Sequence, residues 1–372
     1  MKLNRRQFVQ TTTAAGAGLV VAFRFPEVLS NTEPAVFGPN AYIRISSDNV
    51  VTLSITRSEM GQGVRTNLPA TLAEELEVEL SNVISAAAQQ WNVDRSSCRA
   101  ELGFVIDNSG RKLSYGKLAE AAAKLPVPEN PPLKDPKNFR LLGKPLKRID
   151  GPAIVRGQAT YGFDVRVPGM LFAAMERCPF LGGKVASFDG RKAMAVAGVR
   201  HVVAIQTGIS TGVAVVADNT WAAMKGREAL EVKWDKGPNS EFDSEQFLTK
   251  LKTAFSEEGF PIRREGDTAA ALKNADSRID AVYEYPFQAH APIETMNCTA
   301  DVRRNSCEVW APTQTPDTAH ADIMKTLNLP SESVKFHTTM SGGGFGRRLV
   351  SDYVDEAVEL SKAISKPVQL VW

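Results

Sequence analysis

Two short runs of alternating apolar and polar residues, 42–45 and 50–55, flank Ser46-Ser47-Asp48-Asn49 and predict a β-hairpin. Beyond it Leu68, Leu72, Leu76 and Leu80 recur every four residues, which predicts one apolar helix face, with Pro69 tolerable only in its first turn. Pro126, Pro128, Pro131, Pro132 and Pro136 then interrupt all periodicity and mark a boundary. From 140 to 238 short β-rich runs, 199–205 and 212–217 among them, alternate with glycine turns and a helical stretch at 220–230. That pattern fits an α+β domain of about one hundred residues. After a polar, acidic passage at 239–280, strands are predicted at 281–285 and 307–310, a helix at 316–327 and a strand at 334–337. Leu349, Tyr353, Ala357, Leu360 and Ile364 mark a further helix. The run 367–372 is β-type and apolar and has no turn, cap or polar tail, so it reads as a strand cut at its end rather than as a natural terminus.

Composition narrows the class. The chain has 372 residues, 43% hydrophobic and 23% charged, the make-up of a soluble globular protein of two or three domains. Lys and Arg number 44 against 42 Asp and Glu, so the net charge of +2 produces no field that would favour nucleic acid or an anionic membrane. A small molecule or a protein is the better default partner. Cys98, Cys178, Cys298 and Cys307 form no C-x-x-C pair, so an iron–sulfur centre would have to sit on another polypeptide. A Cys298–Cys307 disulfide stays open in an oxidising compartment, with buried free thiols the favoured alternative.

The N-terminus carries its own signal. Arg5-Arg6 precede Phe8 and a mildly apolar, Thr- and Ala-rich stretch at 11–22, the layout of a twin-arginine export signal and hence of a periplasmic protein. The apolar run at 14–25 is broken by Arg24 and Pro26 and falls short of the ~20 residues that a membrane span needs. Residues 30–39 read as a polar linker.

Two glycine loops share one expected architecture: strand, bend, then helix. Glu59-Met60-Gly61-Gln62-Gly63 and Gly342-Gly343-Gly344-Phe345-Gly346 would each turn backbone N–H groups and a positive helix end toward an anion or a polar ligand edge. Gln62 adds an amide that both donates and accepts. Neither loop is a phosphate-binding P-loop or a dinucleotide fingerprint, since Arg347-Arg348 stand where Gly-Lys-Ser/Thr would, and the Gly-x-Gly-x-x-Gly spacing is absent. Each could equally be a structural turn. No Gly-x-Ser-x-Gly elbow supports a serine hydrolase.

Together with two further segments these loops resemble the xanthine oxidase and aldehyde oxidase family of molybdenum hydroxylases. Residues 341–348 look like that family's Gly-Gly-Gly-Phe-Gly loop and 288–294 like its His-x-Pro-Met/Ile-Glu segment. Residues 310–316 look like its strand ending in Thr-Gln, and 59–63 like its Met-Gly-Gln-Gly loop. The early position of that last loop is similar to isoquinoline 1-oxidoreductase-type large subunits, and 144–161 resembles the start of the family's α/β-hammerhead domain.

The resemblance implies an α+β fold: an α/β-hammerhead domain plus parts of the molybdopterin-binding domains. The expected divisions are a signal and linker at 1–34, a molybdopterin-binding segment at 35–136, the hammerhead at 137–238 and a further molybdopterin-binding domain at 239–372, truncated at its end. It implies molybdopterin, as the cytosine dinucleotide in bacterial relatives, bound by Gly61, Gln62, Gly63, Gln314, Gly343, Gly344, Phe345 and Gly346. No residue is assigned as a metal ligand. The implied reaction is oxidation of an N-heterocycle or an aldehyde with water as oxygen source, with electrons passing to a small iron–sulfur subunit and a c-type cytochrome as a further candidate acceptor. The family's general base lies in a Gly-x-Gly-Glu-type segment, and none occurs here, so no catalytic residue is assigned. Glu294 is expected to be a buried structural or substrate-side carboxylate, His290 a satisfied core histidine, and Arg347 and Arg348 surface charges at a helix start, with phosphate contact as their alternative. The competing function is a non-catalytic cofactor-binding or assembly module.

Overall fold

The structure is a computed structural model that describes residues 36–40, 42–76, 81–126 and 133–372. The proposed export signal lies outside these residues. The chain divides into two compact units, 1–159 and 160–372. This division differs from the expected boundaries at 136 and 238, because strands from both sides of residue 238 hydrogen-bond into one sheet.

In the first unit, strands β1 (Val36–Asn40), β2 (Ile43–Ser46) and β3 (Val51–Leu53) form an antiparallel sheet that contains the predicted hairpin. Residues 36–39, read as linker, belong to β1, which pairs with β2. Helix α1 (Val64–Glu75) follows the first glycine loop. Its buried positions are Thr66, Ala70 and Glu74, whereas Leu68 on the predicted stripe is exposed. Pro69 sits in the second turn rather than the first. Tertiary demand overrides the leucine pattern here: the Glu74 carboxylate takes the N–H groups of Arg140, Leu141 and Leu142 and pairs with Lys134, so its face must turn inward. Burial alone would raise this carboxyl, but those donors outweigh it and hold it down at about 2. Leu80 lies outside the described residues. Helix α2 (Ser81–Trp91), the sheet β4 (Cys98–Glu101), β5 (Phe104–Asp107) and β6 (Lys112–Ser114), and helix α3 (Tyr115–Ala123) enclose a core around Ile45, Val83, Val105 and Leu118. A short helix α4 (Gly151–Val155) comes last in this unit.

The second unit is built on β7 (Leu171–Arg177), β8 (Lys184–Asp189), helix α5 (Arg191–Met194), β9 (Val199–Gln206), β10 (Thr211–Ala217), α6 (Thr220–Glu228) and β11 (Glu231–Asp235). It continues through α7 (Ser244–Ala254), α8 (Thr268–Lys273), β12 (Asn297–Arg303), β13 (Ser306–Ala311), α9 (Pro316–Leu327), β14 (Val334–Thr338), α10 (Asp352–Ile364) and β15 (Val368–Val371). Seven strands join in the order β14-β13-β12-β15-β7-β10-β9, and β8 and β11 form a separate ribbon. The β13–β14 and β15–β7 pairs are parallel and the others antiparallel.

Strict alternation serves two cores. Ala173, Met175, Ala214 and Val216 pack with Ile323, Tyr353, Ala357 and Leu360 from α9 and α10. Ala174, Val215 and Ala217 pack with Ala193, Ala222 and Ala223 from α5 and α6. Covering both faces explains why these strands read as unbroken apolar runs. The terminal run 368–371 is a fully buried interior strand between β12 and β7.

The strand expected at 281–285 is absent. Val282, Tyr283 and Tyr285 lie exposed without regular structure, because an alternating run becomes a strand only when a ladder partner takes its backbone groups. Cys298 and Cys307 are buried free thiols, so the disulfide is not formed, and burial pushes the Cys307 thiol up to about 12.

Candidate functional site

The two glycine loops turn out to be chemically different. In the first, Glu59 is buried and its carboxylate faces back into the bend. Its Oε1 accepts from Gly61 N (2.9 Å) and Gly63 N (3.0 Å), and its Oε2 accepts from Arg65 N (3.0 Å). Arg148 adds a 3.3 Å ion pair. Glu59 therefore occupies the anion position that the sequence reading left for a ligand, and it caps α1 from outside the helix. Burial pushes this carboxyl up, but the three N–H donors and the Arg148 charge outweigh burial and hold it below the usual range. Gln62 is likewise spent on its own loop: Oε1 accepts from Met60 N (2.6 Å) and Nε2 donates to Ser58 O (2.8 Å). Gly61, at φ +103°, has open space where a side chain would be.

The second loop is held differently. Gly343, Phe345 and Gly346 all have positive φ, 95°, 52° and 92°. Only glycine adopts such angles without cost, and Phe345 does so with its ring exposed at the surface. Carbonyls on the inner side are taken: Arg347 N donates to Gly344 O (2.8 Å) and Leu349 N to Gly346 O (3.2 Å). Gly342 N donates to Glu294 Oε2 (2.7 Å). Among the described residues, the N–H groups of Gly343, Gly344, Phe345 and Gly346 have no acceptor. The loop opens a single turn of 3₁₀-helix, Arg347–Leu349, and α10 starts only at Asp352, so the expected direct helix start is displaced.

Strand β13 ends at Ala311 and is followed by Pro312-Thr313-Gln314. Gln314 N donates to Arg348 O (3.0 Å), which ties the strand end to the loop exit. Gln314 Oε1 is buried and has no hydrogen-bond partner among the described residues. The second unit thus brings together Gln314, Gly343, Gly344, Phe345 and Gly346. Gly61, Gln62 and Gly63 belong to the first unit.

Glu294 and the paired arginines join these motifs. Glu294 accepts from Gly342, from Phe163 N (3.1 Å) and from Asn297 Nδ2 (3.1 Å), so it is a structural carboxylate. The two arginines are not surface charges. Arg347 forms a fork with Asp352 at 2.8 and 2.7 Å, and Arg348 is completely buried. Sequence reasoning missed Glu59 and Arg348 as builders of the loops. The signal for the first was an acid two and four residues ahead of two glycines, within reach of both amides. His290, expected in the core, lies on the exposed segment before Glu294. Among the described residues no cluster of His, Cys, Asp or Glu is placed to hold a metal ion directly.

Four successive N–H groups without acceptors, tied through Gln314 N and Arg348 O to a residue whose buried amide oxygen also has no partner among the described residues, suit a ligand that carries acceptors and a donor along one polar edge. A pterin has such an edge, so these residues fit the group that the resemblance implies.

Residues 250–372, which include every site residue of the second unit, match the molybdopterin cofactor-binding domain family. Over its whole length the chain is 26% identical to the beta chain of the isoquinoline 1-oxidoreductase of Brevundimonas diminuta, of which it covers 59%. It is also 26% identical to a chain of the nicotinate dehydrogenase of Pseudomonas putida, over 88% of this chain and 31% of that one. The solved quinoline 2-oxidoreductase of Pseudomonas putida 86 aligns over 61% of this chain and 34% of its own, at 18% identity and a TM-score of 0.46. The chain therefore carries a molybdopterin-binding domain within an α+β architecture of the expected type. Residues 250–372 thus belong to the molybdopterin cofactor-binding domain family, and the chain as a whole is similar to large subunits of molybdenum hydroxylases. It spans 31 to 59% of the length of these curated relatives.

Proposed function

We propose that this chain is a molybdopterin-holding module of an exported molybdenum hydroxylase, and that its own residues bind and orient the cofactor without supplying the general base. One observation carries the reading: among the described residues, four consecutive N–H groups have no acceptor, and the exit of their loop is tied by Gln314 N and Arg348 O (3.0 Å) to the residue whose buried Oε1 also has no partner. In this reading the amides of Gly343, Gly344, Phe345 and Gly346 donate to the pterin and Gln314 accepts from it. In the first unit, taken by itself, Gly61 and Gly63 would allow close backbone approach of a ligand, and Gln62 would have to exchange its internal bonds for ligand bonds. The bound group supplies the two-electron chemistry, with water as oxygen source.

The two motif carboxylates are committed to structure. Glu59 holds three amides and Glu294 holds the second loop, so neither is free to take a proton from water. This favours the module reading over a chain active by itself. In the assembled enzyme the substrate is an N-heterocycle or an aldehyde, as the names of the relatives suggest, and electrons leave through a small iron–sulfur subunit. The twin-arginine layout supports export to the periplasm.

The test is metal and pterin analysis of the chain purified from a host that makes molybdopterin. A folded protein holding pterin is expected, and Gln314→Leu should lower its pterin content roughly tenfold with little change in unfolding midpoint. A folded wild-type sample with neither pterin nor molybdenum would overturn the reading.

A further inference from the structure

We infer that Arg348 is a positioning residue that sets the orientation of the 343–344 peptide, and with it the direction of the Gly344 N–H, an inference that rests on the pterin-binding reading above. Its side chain has no solvent exposure, yet it ends among acceptors from three separate segments. Nε donates to Gly343 O (2.8 Å), Nη1 to Pro312 O (3.2 Å), and Nη2 to Glu294 O (2.9 Å) and Glu294 Oε2 (3.3 Å). Those segments are the glycine loop, the end of β13 that leads to Gln314, and the segment ending in Glu294. Burial lowers the pKa of this guanidinium and Glu294 opposes the drop. An arginine remains charged in such a place.

The consequence follows from peptide geometry. In a trans peptide the C=O and N–H point in opposite directions, and the peptides of this loop are trans. With Gly343 O drawn to Arg348, the N–H of Gly344 faces away from the guanidinium. The next peptide is fixed by the chain itself, because Gly344 O accepts from Arg347 N, so Phe345 N–H faces away from that amide. Between two glycines nothing intrinsic resists rotation of the 343–344 peptide, since neither residue has a Cβ to exclude the flipped form. Arg348 is thus the side chain that specifies its orientation. Glu294 holds the same loop from the preceding residue, through Gly342 N.

A lysine could keep the charge opposite Glu294 but cannot present a planar fork to three carbonyl-bearing segments at once. Arg348→Lys is therefore the informative variant, and Arg347→Lys, which loses only a fork to Asp352, is the control. Both are expressed beside wild type in a molybdopterin-producing host. Pterin per protein is measured after release, and urea unfolding is followed on cofactor-free samples. The expected result is at least a roughly tenfold loss of pterin per folded protein in Arg348→Lys, with a lower unfolding midpoint that still leaves the sample folded under the loading conditions, and Arg347→Lys at wild-type content.

Equal pterin in Arg348→Lys and wild type would overturn the inference and leave the functional reading intact. A fall in pterin that only tracks a lower midpoint would also overturn it, since that marks a purely structural arginine. Wild type without pterin would remove the functional reading, and the inference with it. Should Arg348→Lys fail to fold, the double variant Arg348→Met with Glu294→Gln leaves no buried ion uncompensated and is judged by the same two measurements.

Discussion

Glu59 shows how much one side chain decides. Its carboxylate satisfies three backbone donors, that of Gly63 in a buried place and those of Gly61 and Arg65 in half-buried ones, and it does so before α1 has begun its own hydrogen bonding. Glu59→Ala should therefore cost about 2–4 kcal/mol of stability, read by urea unfolding, whereas a surface acid such as Glu120 should cost under about 0.5 kcal/mol. Asp355 on α10 is the opposite case. Its Oδ1 is buried without a donor among the described residues. Burial, and then the charges of Asp322, Asp352, Glu356 and Glu359, push this carboxyl up to about 7. The folded state binds its proton more tightly than the unfolded chain does, so the contribution to stability is full below about pH 4 and is lost as pH rises toward about 7. Asp355→Asn should consequently stabilise the protein at about pH 8 and not at about pH 4, by on the order of 1–2 kcal/mol once solvent screening of this half-buried group is allowed for. An equal effect at both pH values would contradict the assignment.

At the scale of elements, periodicity located helices well and their buried faces less well. Helix α9 begins at Pro316 and ends at Leu327 as the pattern required, and α10 buries Tyr353, Ala357 and Leu360 as expected. Helix α1 formed where leucines repeat, but it turned Thr66, Ala70 and Glu74 inward. Polar bonding to Glu74 contributed what the stripe of leucines did not. Leu68→Gln should accordingly change the unfolding midpoint little, while Ala70→Leu, which adds bulk to a packed face, should destabilise by about 1–3 kcal/mol. The reverse ranking would restore the leucine face. The glycine loops were legible as bends between a strand and a helix. Which of them fills its own donors was not, because that depends on where Glu59 and Arg348 reach.

Across the molecule, the main departure is the sheet. A reader of the sequence sees a β-rich block ending near 238 and another beginning near 281, separated by polar residues. The fold places β15 between β12 and β7 and makes one layer of both. Gln369, in the middle of β15, lies fully buried with its amide nitrogen 3.3 Å from Phe163 O and Val165 O and 3.2 Å from Thr299 Oγ1. Gln369→Leu should remove those partners and cost about 2–3 kcal/mol. Hydrogen exchange should show β7, β12 and β15 losing protection together, and independent opening of β7 and β12 would argue against a single sheet. Most helices and strands, the glycine bends and the family motifs were determined by sequence, since propensity, turn chemistry and local spacing act over a few residues, whereas the run at 281–285 needed a ladder partner that the fold does not give it. The sharing of one sheet, the inward turn of Arg348 and the filling of one loop by its own carboxylate were decided only by tertiary structure. Each of these depends on how the backbone is finally placed, and no local pattern encodes which buried donor will find which acceptor.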